Sequence, residues 1–173
     1  MSTGFPVTTI TALLRATVDL LHAEVLALPA EATRVRPAPG EWCINEVLGH
    51  LIEAETRGFA GRIRQFLVEE QPLCQPWNPD QVAAERQDQA QSALGLWQTF
   101  ATLRATSLQL VEGLTPLQLA RQGHHPSVGV LSVNDLLHEW IYHDRNHIKQ
   151  ILSIVQAEVW PYMGHAQRFS QPS

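Results

Sequence analysis

Apolar residues recur at intervals of three and four along most of this 173-residue chain. From Thr9 to Leu28 they fall at Ile10, Leu13, Leu14, Val18, Leu21, Val25 and Leu28. That is the stripe of an amphipathic helix, and Pro29 ends it. The stretch from Arg34 to Gly40 holds Pro37, Pro39 and Gly40 and reads as a loop. A second stripe (Ile44, Val47, Leu48, Leu51, Ala54) predicts a helix from near Ile44 to about Glu69. Pro72, Pro76 and Pro79 then force an irregular connection. A third helix is expected from about Asp80 to Val111, polar in its first half and carrying Leu94, Trp97, Leu103 and Leu110 in its second. Thr115-Pro116 has the form of a cap followed by a first-turn proline, and residues 123–129 read as a loop. The last long helix is expected over about Val133 to Val159, with Ser132 as its cap and Pro161 and Gly164 beyond its end. No segment sustains a period of two. Four long helices with one apolar face each must bury those faces against one another. The pattern therefore predicts an all-α four-helix bundle, one domain over residues 1–173, with a long connection between helices three and four.

Composition narrows the function. Twelve basic residues stand against seventeen acidic ones, for a net charge of −5, which argues against a nucleic-acid partner. No run of apolar residues is long enough to span a membrane. The first apolar segment is interrupted by Arg15, Asp19 and Glu24 and lacks a basic leader, so no signal peptide is expected. Cys43 and Cys74 alone make no disulfide framework. A cytoplasmic protein is the expectation. The count of eight histidines is high, and it directs attention to the last helix.

His143 and His147 are four residues apart and share a helical face. The apolar stripe there comprises Val133, Leu136, Leu137, Trp140, Ile148, Ile151 and Val155. His147 lies at its edge, His143 slightly further round, and His138 opposite Trp140. His50 lies at the edge of the second helix's stripe, flanked by Glu46 and Glu53. If helices two and four are neighbours, three neutral imidazoles can converge on one divalent cation and leave a position open. Imidazole ligands suit zinc, nickel, iron or copper, and the spacing does not choose among them; zinc and nickel are the leading expectation, with iron, manganese and copper behind. The alternative is that these are core-edge histidines bonded to carbonyls or glutamates. Asp144 falls inside the stripe, where a carboxylate needs a partner. It either accepts the N–H of a ligating histidine or pairs with a buried arginine such as Arg15 or Arg62. His143-Asp144-Arg145-Asn146-His147 is not a protease H-E-x-x-H motif, because Asp144 is one methylene short of the base position. Cys43 reads as a small buried hydrophobe rather than a nucleophile, His124 and His125 as loop residues, and Trp77 as lining for a pocket or a dimer contact.

Several segments together resemble the DinB-like (damage-inducible) metalloprotein superfamily. They are Trp42-x-x-x-Glu46-Val47-Leu48-x-His50-Leu51-x-Glu53-x-Glu55, then Leu114-Thr115-Pro116 with Gly123 and His125-Pro126, then Val133-x-Asp135-Leu136-Leu137. The last is His143-Asp144-Arg145-Asn146-His147-x-x-Gln150-Ile151. The resemblance implies a four-helix bundle whose metal is held by His50, His143 and His147, and it implies a homodimer. It also implies a range of activities: thiol-dependent transferases using bacillithiol, mycothiol or glutathione, a thiol-dependent isomerase, and metal-dependent hydrolases. The leading expectation is a thiol S-transferase whose partners are a small-molecule thiol and an electrophile. Glu46 or Glu53 would accept the proton, and Trp42 and His125 would touch substrate. A hydrolase using a metal-activated water is the second reading. The third is a metal-binding stress or interaction protein without catalysis.

Overall fold

The computed structural model describes residues 4–170. The predicted stripes become α1 (Val7–Ala27), α2 (Ile44–Glu53), α3 (Phe59–Val68), α5 (Ala93–Glu112) and α7 (Val133–Val159). Shorter helices are α4 (Pro79–Arg86) and α6 (Pro116–Leu119). A π-turn, Ala54–Gly58, joins α2 to α3, so the two form one long rod of the bundle. The other three rods are α1, α5 and α7: α1 packs on α5 and α7, and α2 packs on the same two. The architecture is the predicted four-helix bundle. Among the described residues no helix is long and apolar enough to cross a membrane.

The helix ends follow from local chemistry. Ser132 caps α7: its hydroxyl accepts the Asp135 N–H, and the Asp135 carboxylate takes the Ser132 N–H in return. Thr115 and Gln118 make the same reciprocal pair at α6. Two expectations are corrected. The single third helix is broken into α4 and α5, because Gln87 turns left-handed (φ 54°) and Ser92 caps a new start. The expected loop at 123–129 is mostly a two-stranded antiparallel hairpin, β1 (Gln122–His125) with β2 (Gly129–Ser132). Strand β1 forms because its far edge also docks on the proline-rich connection. The His124 N–H reaches the Pro72 carbonyl, and the Cys74 N–H reaches the His124 carbonyl, each at 2.8 Å.

Gly123 sits where this hairpin meets the bundle. A Cβ there would lie 2.3 Å from the Phe66 ring, which is fully buried. Gly123→Ala is expected to destabilise the fold by about 1–3 kcal/mol through forced repacking, read as a lower urea midpoint.

Two apolar clusters fill the bundle. One contains Ile10, Leu14, Phe59, Phe66, Leu136 and Trp140; the other contains Leu21, Val25, Leu48, Phe100, Ile151 and Ile154. Near the junction of the clusters every rod buries a polar side chain: Thr17, Glu55, Arg104 and Asp144. Arg104 centres this layer. Its guanidinium grips Asp144 with two N–H groups (2.7 and 3.1 Å), donates to Glu55 and reaches the Leu14 carbonyl at 2.8 Å. Ser107 donates to Glu55, and Thr17 to Asp144. The guanidinium also lies over the rings of Phe100 and Trp140.

Candidate metal centre

At the level of this polar layer, α2 brings His50 against His143 and His147 of α7. The Nε2 atoms of His50 and His143 are 2.9 Å apart. One ring nitrogen from each of the three histidines lies within 4.8 Å of the others. Ring centroids are 4.5–5.0 Å apart. Aromatic side chains wall the cluster. Trp42 lies 5.1 Å from His50 and stacks on His147 at 6.4 Å, Trp77 stacks on His50 at 5.5 Å, and Phe59 meets His143 edge-on at 5.1 Å. The Trp42 indole N–H is tied to Asp80 at 3.1 Å.

Burial, reinforced by the neighbouring imidazoles, pushes His50 down to about 3. Burial, His147 and the Arg104 charge push His143 down to about 3 as well. His147 is also lowered, chiefly by burial. All three rings are therefore neutral near pH 7, with lone pairs available. Nδ1 of His147 lies 2.8 Å from Gln150 Oε1. With Nδ1 donating to that oxygen, the lone pair of His147 is on Nε2, free to bind a metal. The Nδ1 atoms of His50 and His143 are buried without a partner. Tetrahedral bonds of about 2.0–2.1 Å separate neighbouring ligand nitrogens by roughly 3.3 Å. The donor set thus fits one ion after small adjustments, with a position left open.

The low proton affinity has a consequence for the metal-free protein. Unfolded imidazoles take up a proton near 6.5, whereas folded His50 and His143 do so only near 3. Between these values the unfolded chain holds more protons, so acid favours it. The contribution of these rings is complete above pH 6.5 and is lost as pH falls towards 3. Allowing for partial exposure, we expect a loss of roughly 1 kcal/mol per ring by pH 5.5. Urea midpoints across this range should fall more for the wild type than for a His50→Ala/His143→Ala variant.

The other expected site residues fare differently. Glu46 caps α2, accepting the Cys43 N–H at 2.9 Å while paired with Arg36. Burial alone would raise its pKa, but the Arg36 and Cys43 hydrogen bonds hold it below the usual carboxylate value. Glu53 is held by Arg57 and Arg86. Both carboxylates are paired with arginines. Asp144 accepts from Arg104 and Thr17 rather than from a site histidine. Nor is its partner Arg15, which pairs with Glu112 at the surface, or Arg62. Cys43 is fully buried, and burial pushes its thiol up to about 11, so it is no nucleophile. Trp42 is beside the triad, and His125 lines a cavity that reaches His143.

Two cavities flank the cluster. One of about 650 Å³ is bordered by Glu41, Trp42, His147, Gln150 and Ser153. The other, about 700 Å³, is bordered by Phe59, Arg62, Trp77, His125, Leu131 and His143 among others. Gln150 received no role from the sequence, although it stood in the His147-x-x-Gln150 motif. Arg104 was also missed, although its four-residue spacing from Phe100 and Leu108 put it on the α5 stripe.

A helical bundle with a half-buried, three-histidine cluster between two cavities is a recognisable class of protein. This chain belongs to the DinB superfamily, whose family model matches residues 13–151. It is 22% identical over 141 residues to a protein of Oceanobacillus iheyensis named "putative metal-dependent hydrolase", covering 82% of this chain and 81% of that one. Its fold matches YfiT from Bacillus subtilis with a TM-score of 0.81 at 18% identity, over 90% of this chain and 91% of that one. YfiT is described as "a probable metal-dependent hydrolase with an unusual four-helix bundle topology". A mycothiol-dependent maleylpyruvate isomerase matches with a TM-score of 0.68 at 11% identity. The match covers 87% of this chain but only 63% of the isomerase.

Proposed function

We propose that this protein binds a divalent metal, zinc or nickel first, through His50, His143 and His147, and transfers a low-molecular-weight thiol to an electrophile. The observation that carries this reading is the pair of cavities, one opening on His147 and the other on His143. Two reactants can thereby approach one centre from two sides. When bound, the ion supplies positive charge that favours the deprotonated form of a sulfur beside it.

The chain's own residues do the rest. Gln150 orients His147, and Trp42 and Trp77 cover His50 and limit water. Glu41, Gln150 and Ser153 present hydrogen-bonding groups to a hydrophilic thiol in the first cavity. The second cavity, walled in part by Phe59, Trp77, Leu131 and Leu136, takes the electrophile. A sulfur–carbon bond forms, the thiol proton passes to solvent, and any leaving group departs with its electron pair. Each buried carboxylate around the centre (Glu46, Glu53, Glu55, Asp144) is held by an arginine. A thiol, with a pKa near 8.5, needs less help to ionise than water does.

The test is an assay of metal-loaded protein with bacillithiol, mycothiol or glutathione and a fluorogenic electrophile. Thiol consumption well above that of a His147→Ala variant is expected. Turnover of chromogenic esters without thiol would instead establish the hydrolase reading, which the descriptions of the two relatives favour.

A further inference from the structure

The cavity that opens on His143 has an apolar body: Phe59, Trp77, Leu131 and Leu136 contribute its walls. Into this setting α3 projects Arg62, one turn beyond Phe59. Arg36, Arg57, Arg86 and Arg104 each hold a carboxylate. Arg62 makes no hydrogen bond or ion pair among the described residues, and its Nε is sealed from solvent without an acceptor. A buried guanidinium N–H without a partner is costly, and elsewhere this fold avoids it.

The cavity's own carboxylates do not meet the need. Asp135 is turned towards the Ser132 N–H and hydroxyl, at 2.8 and 2.7 Å. Glu139 is exposed and forms no ion pair with Arg62. His125 lies on the same cavity. Its Nδ1 accepts the Ser127 N–H at 3.2 Å, which leaves the ring proton on Nε2 as a second donor. Arg62 and His125 both border this one cavity, so a single ligand there can meet both, and the Arg62 charge adds to burial in lowering the His125 pKa.

We propose that this cavity binds a small organic acid with an apolar body, its carboxylate held by Arg62 and hydrogen-bonded by His125. A guanidinium fork matches a carboxylate in two N–H···O bonds, and the apolar walls take the remainder of the molecule. As the identity of the electrophile this rests on the thiol-transfer reading; as a binding site it does not.

The experiment therefore uses metal-free protein. Titration calorimetry compares 3-phenylpropionate with its uncharged amide. The wild type is expected to prefer the acid about ten- to a hundredfold. Arg62→Met should abolish that preference, and Arg62→Lys should keep part of it. Leu131→Trp, which fills the cavity, should block the acid. Because Arg62 supports nothing else in the fold, Arg62→Met should leave the urea midpoint unchanged or raised. A wild type that binds the acid no better than the amide, or not at all, overturns the proposal. So does an Arg62→Met variant that keeps the preference. Either failure leaves the metal centre untouched, and an absence of thiol transfer leaves this titration unaffected.

Discussion

His143→Ala is expected to lower metal affinity by about a hundredfold or more, because groups that merely orient a ligating histidine already cost about 10–100-fold when removed. The three imidazoles come from two helices, and their nitrogens already face one another, with 2.9 Å between those of His50 and His143. Deleting one leaves two donors, too few to define a site. Competition against a chromophoric chelator measures the affinity, and elemental analysis after dialysis measures the occupancy. Gln150→Leu should show the smaller loss, since it removes the group that orients His147 but no donor. The fold should survive both changes, because the histidines sit at the edge of the apolar clusters and not within them. Metal added to the wild type should raise its melting temperature by mass action and should not do so for His143→Ala. Full occupancy in His143→Ala would refute the assignment.

The largest effect on stability is expected at Arg104. Arg104→Ala should cost about 3–5 kcal/mol, because it strands two fully buried carboxylates, Glu55 and Asp144. Burial already pushes the Glu55 pKa upward against the pull of Arg104, so removing the arginine deepens that strain. Arg104→Lys should rescue little, since an ammonium cannot reproduce two bonds to Asp144 together with one to Glu55. Urea unfolding gives the cost. The contrasting variant replaces the whole layer, Arg104→Met with Glu55→Leu and Asp144→Leu. That variant should recover most of the stability, because well-packed apolar groups are as good as a buried ion network. If Arg104→Ala were nearly neutral, the polar layer would have no structural role. The consequence reaches the site: Asp144 follows His143 directly, so loosening this layer should also weaken metal binding.

Particular residues show how far the amino-acid pattern can be read. The last helix was legible to within a residue, since its stripe is long and Ser132 with Asp135 forms a self-contained cap. The hairpin was not, because β1 is only Gln-Gly-His-His and owes its form to Pro72 and Cys74 docking against it. The break at Gln87 was equally hidden, since a non-glycine residue in left-handed backbone carries no local mark. For Asp144, position in the stripe predicted a partner but not which one. Choosing Arg104 over Arg15 or Arg62 requires knowing that α5 lies across from α7.

The sequence alone determined the helical rods, their apolar faces and the pairing of His143 with His147. Those depend on interactions within a few residues along the chain, where helical periodicity is the whole of the geometry. Tertiary structure alone decided which carboxylates were already taken, that Gln150 and not Asp144 holds a site histidine, and that Arg62 stands unpaired in a cavity. Each of those is a matter of which side chains meet across tens of positions, and burial, which sets their charge and their cost, exists only once the rods have packed.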